Sequence, residues 1–429
     1  MIQLSSYNLN ILNTMKKHNI LFLLPIILFM LNSAYSHNQS IDNIVINTRQ
    51  NYKSFIDTKL FESKTTSFSK SNDGTIYAGR YSYGSKLKDS SILRTTNNGQ
   101  TWEKIENFPE IENAPKIFET IVKAAPNNSN NLFVYFLTES YEIFPVILIS
   151  NDGGKSFEQI HIQNIIDQHD LGKLYTLDVH IDPKNENSAY FLINGMNNSK
   201  IYKYSEDKNI RLIDIDSNYF DIIISIALGQ QNSDIIYAAG FSCIYKSKDA
   251  GNSWETATCS SDFDNSFKKL KVDLKDDNIV YGIPYKLNKS LKSEIIKLST
   301  DGGYNWETKY LENYNSKEIT AQGVSIDIDE SNPNNALITL IIIDNNKDKE
   351  NSEYQKSKII ESIDRGQSWK SHVPELGTFN IAADAIYINN KDNSLEYNVL
   401  LSSLFNLYKG KSDQEGYISN WSVIPFKYQ

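Results

Sequence analysis

The sequence predicts an all-β protein. Strand-forming aromatic residues are abundant in the 429-residue chain, which contains 26 Tyr and 19 Phe as well as long Ile-rich runs. Stretches with the apolar periodicity of an amphipathic helix are hard to find, and only 10 Pro are present. A short motif also recurs along the chain, which indicates that one strand-turn-strand unit is repeated.

The repeated motif is Ser or Thr, any residue, Asp or Asn, any residue, Gly, any two residues, and then Trp or Phe. The Asp or Asn side chain can accept backbone N–H bonds, and the Gly can take a positive φ, so each copy predicts the turn of a β-hairpin. The aromatic residue then leads the outgoing strand into the core. The five copies span residues 95–102, 150–157, 247–254, 299–306 and 362–369, with Asn97, Asp152, Asp249, Asp301 and Asp364 at the acidic position and Trp102, Phe157, Trp254, Trp306 and Trp369 at the aromatic position.

Two degenerate copies can be added from their spacing. One runs from Ser205 to Leu212, and a stretched copy ends at Trp421. Successive aromatic or apolar anchors then lie 42 to 63 residues apart. A turn-rich stretch also precedes each copy, and 72–74, 182–185 and 276–278 are examples that predict a further hairpin upstream of the motif.

The motif resembles the Asp box, or BNR repeat, of sialidases, of the photosystem II assembly factors and of some plant-polymer glycosidases. This resemblance implies a β-propeller, and the spacing suits four-stranded blades. We therefore expect a seven-bladed β-propeller over residues 65–429. In each blade, an Asx- or Pro-rich turn joins the first two strands, and an Asp box joins the last two.

The N-terminus predicts export. Lys16 and Lys17 precede an apolar run at 20–31, and small residues at 34–36 suit cleavage after Ser36. Residues 1–36 are therefore interpreted as a bacterial signal peptide, with Met15 as an alternative start and a buried helix as the competing interpretation. The run is too short for a membrane anchor, so we expect a periplasmic or secreted protein. We expect residues 37–64 to form an N-terminal segment or a closing strand.

Charge and cysteine content narrow the possibilities. The formal net charge of −9 argues against nucleic acid as a partner. Cys243 and Cys259 flank one motif on adjoining strands, and in an oxidising compartment they should form a disulfide, although two free buried thiols are the alternative. Each motif supplies a single Asp in a tight hairpin, too few oxygen ligands for a calcium site. We expect no metal and no cofactor.

Binding is expected on the face opposite the motifs, where the loops between second and third strands lie. Exposed aromatic rings beside polar groups suit contact with a protein or a glycan, while ordinary loop packing is the alternative explanation. The candidate ligand-binding residues are Arg80, Tyr81, Tyr83, Tyr141, Tyr219 and Tyr285.

Catalysis is the competing hypothesis. Resemblance to sialidases implies an arginine triad, but only five Arg are present, and none is followed by the Ile-Pro of the family signature. The plant-polymer enzymes place their Asp pair between two propellers of a longer chain, and the assembly factors carry an Arg-rich patch. We therefore expect a non-catalytic binding scaffold; the alternative is a divergent glycoside hydrolase that uses carboxylates facing the channel. The candidates for that role are Asp178, Asp273, Asp327 and Asp384, and each also suits a structural role at a strand end. The sequence leaves the oligomeric state open.

Overall fold

The computed structural model describes most of the chain from residue 65 onward. The described residues are 65–138, 140, 142–196, 198–215, 221–260, 266–285, 292–313, 319–344, 355–372, 382–388, 399–403, 407–412 and 417–423. All of them belong to one compact unit, Ser63–Gln429. The expected signal peptide and the 37–64 segment lie outside the described residues.

The described residues form 28 strands, one short helix α1 (Gln163–Gln168) and a 3₁₀ turn (Leu87–Asp89). The first eight strands are β1 (Thr65–Lys70), β2 (Ile76–Ser85), β3 (Ile92–Thr95), β4 (Glu103–Ile105), β5 (Ile117–Ala125), β6 (Asn128–Thr138), β7 (Val146–Ser150) and β8 (Glu158–His161). The next eight are β9 (Leu174–Asp182), β10 (Asn185–Gly195), β11 (Ser199–Tyr204), β12 (Ile210–Ile213), β13 (Ile223–Leu228), β14 (Ile236–Gly240), β15 (Cys243–Ser247) and β16 (Glu255–Cys259). The last twelve are β17 (Phe267–Val272), β18 (Val280–Pro284), β19 (Lys292–Ser299), β20 (Glu307–Asn313), β21 (Ile319–Ile328), β22 (Ala336–Asp344), β23 (Gln355–Ser362), β24 (Lys370–His372), β25 (Ala382–Tyr387), β26 (Val399–Ser403), β27 (Leu407–Ser412) and β28 (Ile418–Val423).

The strands pair as antiparallel meanders of four. Strands β9–β12, β13–β16, β17–β20, β21–β24 and β25–β28 each form a separate four-stranded sheet. Strands β1–β8 form one eight-stranded sheet, because the C-terminal half of β2, from Arg80 to Ser85, pairs with β5 and so joins two consecutive groups of four. The protein is thus almost entirely β, as the sequence predicts.

The groups of four close into a ring through apolar packing. A separate buried cluster lies between each group and the next, from the pair β1–β4 and β5–β8 to the pair β21–β24 and β25–β28. One more cluster joins the ends of the ring, where Phe68, Ile76 and Trp102 of the first group pack with Ile386 and Leu400 of the last. Apolar packing therefore closes the ring, without exchange of a strand among the described residues.

Burial decreases from the middle strands to the outermost strand of a group. Every residue of β14 and β15 is buried, whereas each residue of the outer strand β16 is half-buried or exposed. A strand between two neighbouring sheets is covered on both faces, which explains why such segments are continuous apolar runs. Cys243 on β15 and Cys259 on β16 are cross-strand partners and are joined by a disulfide.

Candidate functional site

A cavity of about 710 Å³ lies at the centre of the ring. Its walls are the first strands of the groups, β1, β5, β9, β13, β17, β21 and β25, together with the turns that join most of these to the second strands. In a four-stranded meander the first and third turns lie at the same end, so the cavity is close to the face that carries the motifs. Its volume falls within the range of sites for small ligands.

One wall of the cavity carries charges that are closely paired. Lys70 of β1 donates to Asp327 Oδ2 of β21 at 2.9 Å and to the carbonyl oxygen of Tyr387 at 3.3 Å. Asp384 of β25 accepts the backbone N–H of Phe68 at 2.9 Å. We call Lys70, Asp327 and Asp384 the closing wall, because these bonds connect the first strand of the ring with β21 and β25.

Electrostatics reinforce the closing wall. Burial alone would lower the pKa of Lys70, but the carboxylates of Asp327 and Glu330 outweigh it and raise that pKa. Asp327 Oδ2 also accepts the backbone N–H of Tyr387 at 2.9 Å. The Lys70 ammonium is thus held in its charged form at the point where the ring closes.

A second charged cluster links β5 and β9. Asp178 Oδ2 is hydrogen-bonded to His180 Nε2 at 2.8 Å, and Asp178 Oδ1 lies 3.4 Å from Lys123 Nζ. Burial by itself would raise the pKa of Asp178, but His180, Lys123 and Lys269 outweigh it and hold that pKa well below its usual range. This carboxylate is therefore a stable anion rather than a proton donor.

The cavity surface of β17 is different. Lys269 and Lys271 both line the cavity, and within the described part of the chain neither side chain forms a hydrogen bond or an ion pair shorter than 4.0 Å. Burial lowers the pKa of Lys271, and the attraction of the Asp327 carboxylate only partly opposes it. We call Lys269 and Lys271 the lysine wall.

Three of the four candidate carboxylates face the cavity, as the sequence predicts: Asp178, Asp327 and Asp384. Asp273 has the alternative role that the sequence also allowed, a structural one at a strand end. This side chain is fully buried and accepts two bonds from Arg365, at 3.0 Å from Nε and 2.5 Å from Nη2. Because Arg365 lies in the motif turn of the next group, Asp273 connects neighbouring groups and is not available to a ligand in the cavity.

The five motif copies share one set of hydrogen bonds. In each copy the Ser or Thr hydroxyl accepts the N–H of the motif Gly at 2.8 to 3.0 Å and donates to the Asp or Asn at 2.8 to 2.9 Å. The same Asp or Asn accepts the N–H four residues later at 2.8 to 3.0 Å. The Gly residues have φ between 79° and 89°, a region open to Gly at little cost.

Backbone bonds also tie the motif turns to the rest of their own sheet. The residue before the motif Gly donates its N–H to a carbonyl at the connection between the first and second strands. Ala250 bonds to Asp234, Gly302 to Asn278, and Arg365 to Asn334. The motif side chains are thus occupied in holding turns together. Within the described residues, no group of three His, Cys, Asp or Glu side chains is placed to hold a metal ion.

The six predicted ligand-binding residues lie in different settings. Arg80 is half-buried and donates to Ser91 at 2.8 Å, while Tyr81 and Tyr83 lie in the same strand, β2. Tyr285 is half-buried after β18, and its ring meets that of Phe241 edge-on with centroids 5.3 Å apart. Tyr141 and Tyr219 lie outside the described residues.

Sequence reasoning missed Phe241 and Asp221, which lie near Tyr285 at the end of the ring opposite the motif turns. Asp221 precedes β13 and accepts the N–H groups of Ser242 at 3.1 Å and Cys243 at 2.9 Å. Burial raises the pKa of Asp221 in spite of these bonds. No signal in the sequence distinguished Asp221 from the many other Asp residues in loops. Among the described residues no helix is long and apolar enough to cross a bilayer.

No protein-family model and no curated protein matches the chain. Solved structures do match. The GH74 enzyme of Niastella koreensis superposes with a TM-score of 0.55 at 15% identity, over 84% of this chain and 54% of that chain. An ancestral GH74 enzyme gives a TM-score of 0.54 at 14% identity, over 84% and 46%.

The structure of YCF48 bound to a D1 peptide gives a TM-score of 0.49 at 14% identity, over 81% of this chain and 93% of that chain, too low a score to support an argument. The chain spans about half the length of the two GH74 enzymes. At such identities the likeness concerns the fold alone. Together with the closed ring of four-stranded groups, it shows that the chain is a β-propeller.

Proposed function

We propose that this chain is an exported propeller of seven blades, built from Asp-box repeats, that binds a protein or a glycan and catalyses no reaction. Each group of four strands would be one blade. The shared hydrogen bonds of the five motif copies support their assignment as Asp boxes, since they give the Ser or Thr, the Asp or Asn and the Gly the same structural role in every copy.

The state of the carboxylates in the cavity is the observation that carries the non-catalytic assignment. A glycoside hydrolase needs one carboxylic acid that stays protonated and a second that is free to act on the sugar or on water. Asp178 is an anion paired with His180 and Lys123, and Asp327 is paired with Lys70. Asp384 accepts backbone N–H groups through both of its oxygens. These roles are structural.

The face opposite the motif turns, which we call the loop face, is the proposed surface for a macromolecular partner. Tyr285 and Phe241 belong to neighbouring sheets and form an aromatic pair there. Partly exposed aromatic rings supply contact area at low entropic cost in recognition of proteins and sugars. Arg80, Tyr81, Tyr83, Tyr141 and Tyr219 are the other residues that we assign to this surface.

A divergent glycoside hydrolase is the second candidate, and Asp221 is the observation that favours it. A buried carboxyl group with a raised pKa is what a general acid requires. Several groups donate to Asp221, among them the N–H groups of Ser242 and Cys243 and the hydroxyl of Tyr245. These donors instead suit an anion that organises the loop between β14 and β15. We therefore rank catalysis second.

The test combines binding and turnover on one preparation. The full chain would be screened on a glycan array and by pull-down, and in parallel with fluorogenic glycosides that include a sialoside. We expect binding without turnover, and a weaker interaction for Tyr285→Ala. Tyr304→Ala is the matched control, because Tyr304 is an exposed tyrosine on a motif turn. Turnover that disappears in Asp221→Asn or Asp178→Asn would contradict the proposal and make the chain an enzyme.

A further inference from the structure

We infer that the central cavity binds a small organic anion, a molecule about the size of a monosaccharide or disaccharide that carries a carboxylate or a phosphate. This inference rests on the proposed function of a binding protein and adds the chemistry and position of one ligand. The site is separate from the loop face, because its lining includes turns at the motif end of the ring.

The lysine wall is the first support for this inference. Lys269 and Lys271 are two residues apart on β17, so their side chains leave the strand on the same face, with Cα atoms about 7 Å apart. Two long side chains at that spacing can converge on a single anionic group. Ammonium groups bind carboxylates and phosphates through short charge-assisted hydrogen bonds.

The charge balance of the cavity is the second support. The acidic groups that face it are already engaged. Asp327 and Glu330 are paired with Lys70, and Asp178 is paired with Lys123 and His180. Asp329 and Asp384 accept hydrogen bonds from Ser331 and from the backbone of Phe68. None of them comes within 4.0 Å of the lysine wall among the described residues. Asp178 attracts Lys269 and Asp327 attracts Lys271 only at longer range. A bound anion would supply the direct partner that both ammonium groups lack and would reduce the repulsion between them.

The surroundings of the lysine wall also favour an anion. Two exposed lysines, Lys184 and Lys275, lie in turns that border the same cavity. The lining of the cavity has six lysines and five carboxylates, whereas the chain as a whole is acidic, with a formal net charge of −9. The cavity is therefore less acidic than the rest of the protein. The charges of these lysines would act on a ligand within the cavity rather than on one far away, because salt screens charges over about 8 Å at physiological ionic strength.

Neutral polar groups in the lining extend the site beyond a single charge. Gln230 and Gln231 line the cavity, and their side-chain amides donate to backbone carbonyls at 2.9 Å and 2.7 Å, which leaves each amide oxygen free of these bonds. Amide oxygens are good acceptors for hydroxyl groups. The cavity volume of about 710 Å³ leaves room for a polyhydroxylated ligand beside the lysine wall.

Calorimetric titration of the full chain tests the inference. The probes are glucuronate, its neutral counterpart glucose, citrate and inorganic phosphate, all at one ionic strength. The difference in affinity between glucuronate and glucose gives the contribution of the carboxylate. The difference between phosphate and citrate shows which kind of anion the cavity prefers. We expect binding of one or more anions, none of glucose, and a loss of about tenfold or more in affinity for Lys271→Met and for Lys269→Met.

Lys155→Met is the matched control, because Lys155 is an exposed lysine on a motif turn that does not border the cavity. Circular dichroism and the unfolding midpoint would establish that each variant folds. Unchanged affinity in both lysine-wall variants, equal binding of glucose, or no binding of any anion would overturn the inference. The proposed function would survive each of these results if the chain still bound a partner through Tyr285, whereas turnover would refute the proposed function whatever the anions do.

Discussion

The closing wall and the lysine wall face the same cavity but differ in how their charges are satisfied. Lys70, Asp327 and Asp384 bond to one another's strands, from the first strand of the ring to β21 and β25. Lys269 and Lys271 lie on one strand, and their side chains form no hydrogen bond or ion pair with a described residue. Charges that are paired across strands hold a fold together, while unpaired charges in a cavity are a cost that a ligand can remove. The difference separates a structural role from a binding role.

The largest effect is expected at the apolar junction behind the closing wall. Trp102 is 1% exposed, and the centroid of its indole lies 6.5 Å from that of the Phe68 ring, at the junction of the first and last groups of strands. We predict that Trp102→Ala lowers the free energy of unfolding by about 3 to 5 kcal/mol, because the packing of a buried ring is lost. Chemical denaturation would measure it.

Trp254→Ala is the comparison for this prediction. Trp254 occupies the same motif position but is only half-buried at a junction away from the ends of the ring. A smaller loss of about 1 to 3 kcal/mol is expected. If Trp254→Ala were the more damaging of the two, the closing junction would not have the special role assigned to it.

The sheet that contains Lys70 of the closing wall and the sheet of the lysine wall each contain a motif turn. The same substitution in either turn should therefore lower the free energy of unfolding by a similar amount. Ser299→Ala and Thr95→Val each remove the hydroxyl that accepts the N–H of the motif Gly, from Gly303 and Gly99 respectively. We predict a loss of about 1 to 3 kcal/mol for each, because a buried N–H is left without a partner.

Ser299→Thr should restore the stability, since Thr95 shows that threonine can make the same bonds. Thermal and chemical unfolding of the three variants would show whether the hydroxyl is responsible. A loss for Ser299→Thr as large as that for Ser299→Ala would instead indicate a packing defect at this position.

Acid should produce the smallest effect. Because the folded pKa of Asp178 is depressed, its pairing contributes stability that is fully present above about pH 4 and is lost as the pH falls through that lower pKa. The side chain is 40% exposed, so we expect at most about 1 kcal/mol. The difference in unfolding free energy between the protein and Asp178→Asn should shrink between pH 6 and pH 3. A constant difference would contradict this assignment.

The hairpins could be predicted because their determinants are local. Ser299, Asp301 and Gly303 lie within five residues of one another, so the motif alone predicts the hydrogen bonds that they form. The pairing of Cys243 with Cys259 is likewise visible across one turn. Burial of the strand runs followed from their apolar character. The pairing of β2 with β5 was not anticipated, since no motif marks where a strand extends into the next group.

The site was harder to predict because the ring assembles it from distant segments. Phe68 and Asp384 are 316 residues apart in sequence, yet they share a hydrogen bond. Asp178, Asp327 and Asp384 were correctly expected at the channel, but Asp273 was not distinguished from them, because its partner Arg365 lies 92 residues away. Nothing in a lysine-rich sequence marks Lys269 and Lys271 as two lysines that share one strand face in the cavity and lack a side-chain partner among the described residues. The signal peptide and the ligand-binding role of all six loop residues remain predictions.

The most direct test of the two roles is to measure Lys70→Met and Lys271→Met side by side for unfolding free energy and for anion binding. Lys70→Met leaves Asp327 buried without its cation, and we predict a loss of about 3 to 5 kcal/mol. Lys271→Met removes a charge that burial already disfavours, so stability should be unchanged or higher while anion binding is lost. Equal destabilisation by the two substitutions, with anion binding retained in Lys271→Met, would contradict the division of the cavity into a structural wall and a binding wall.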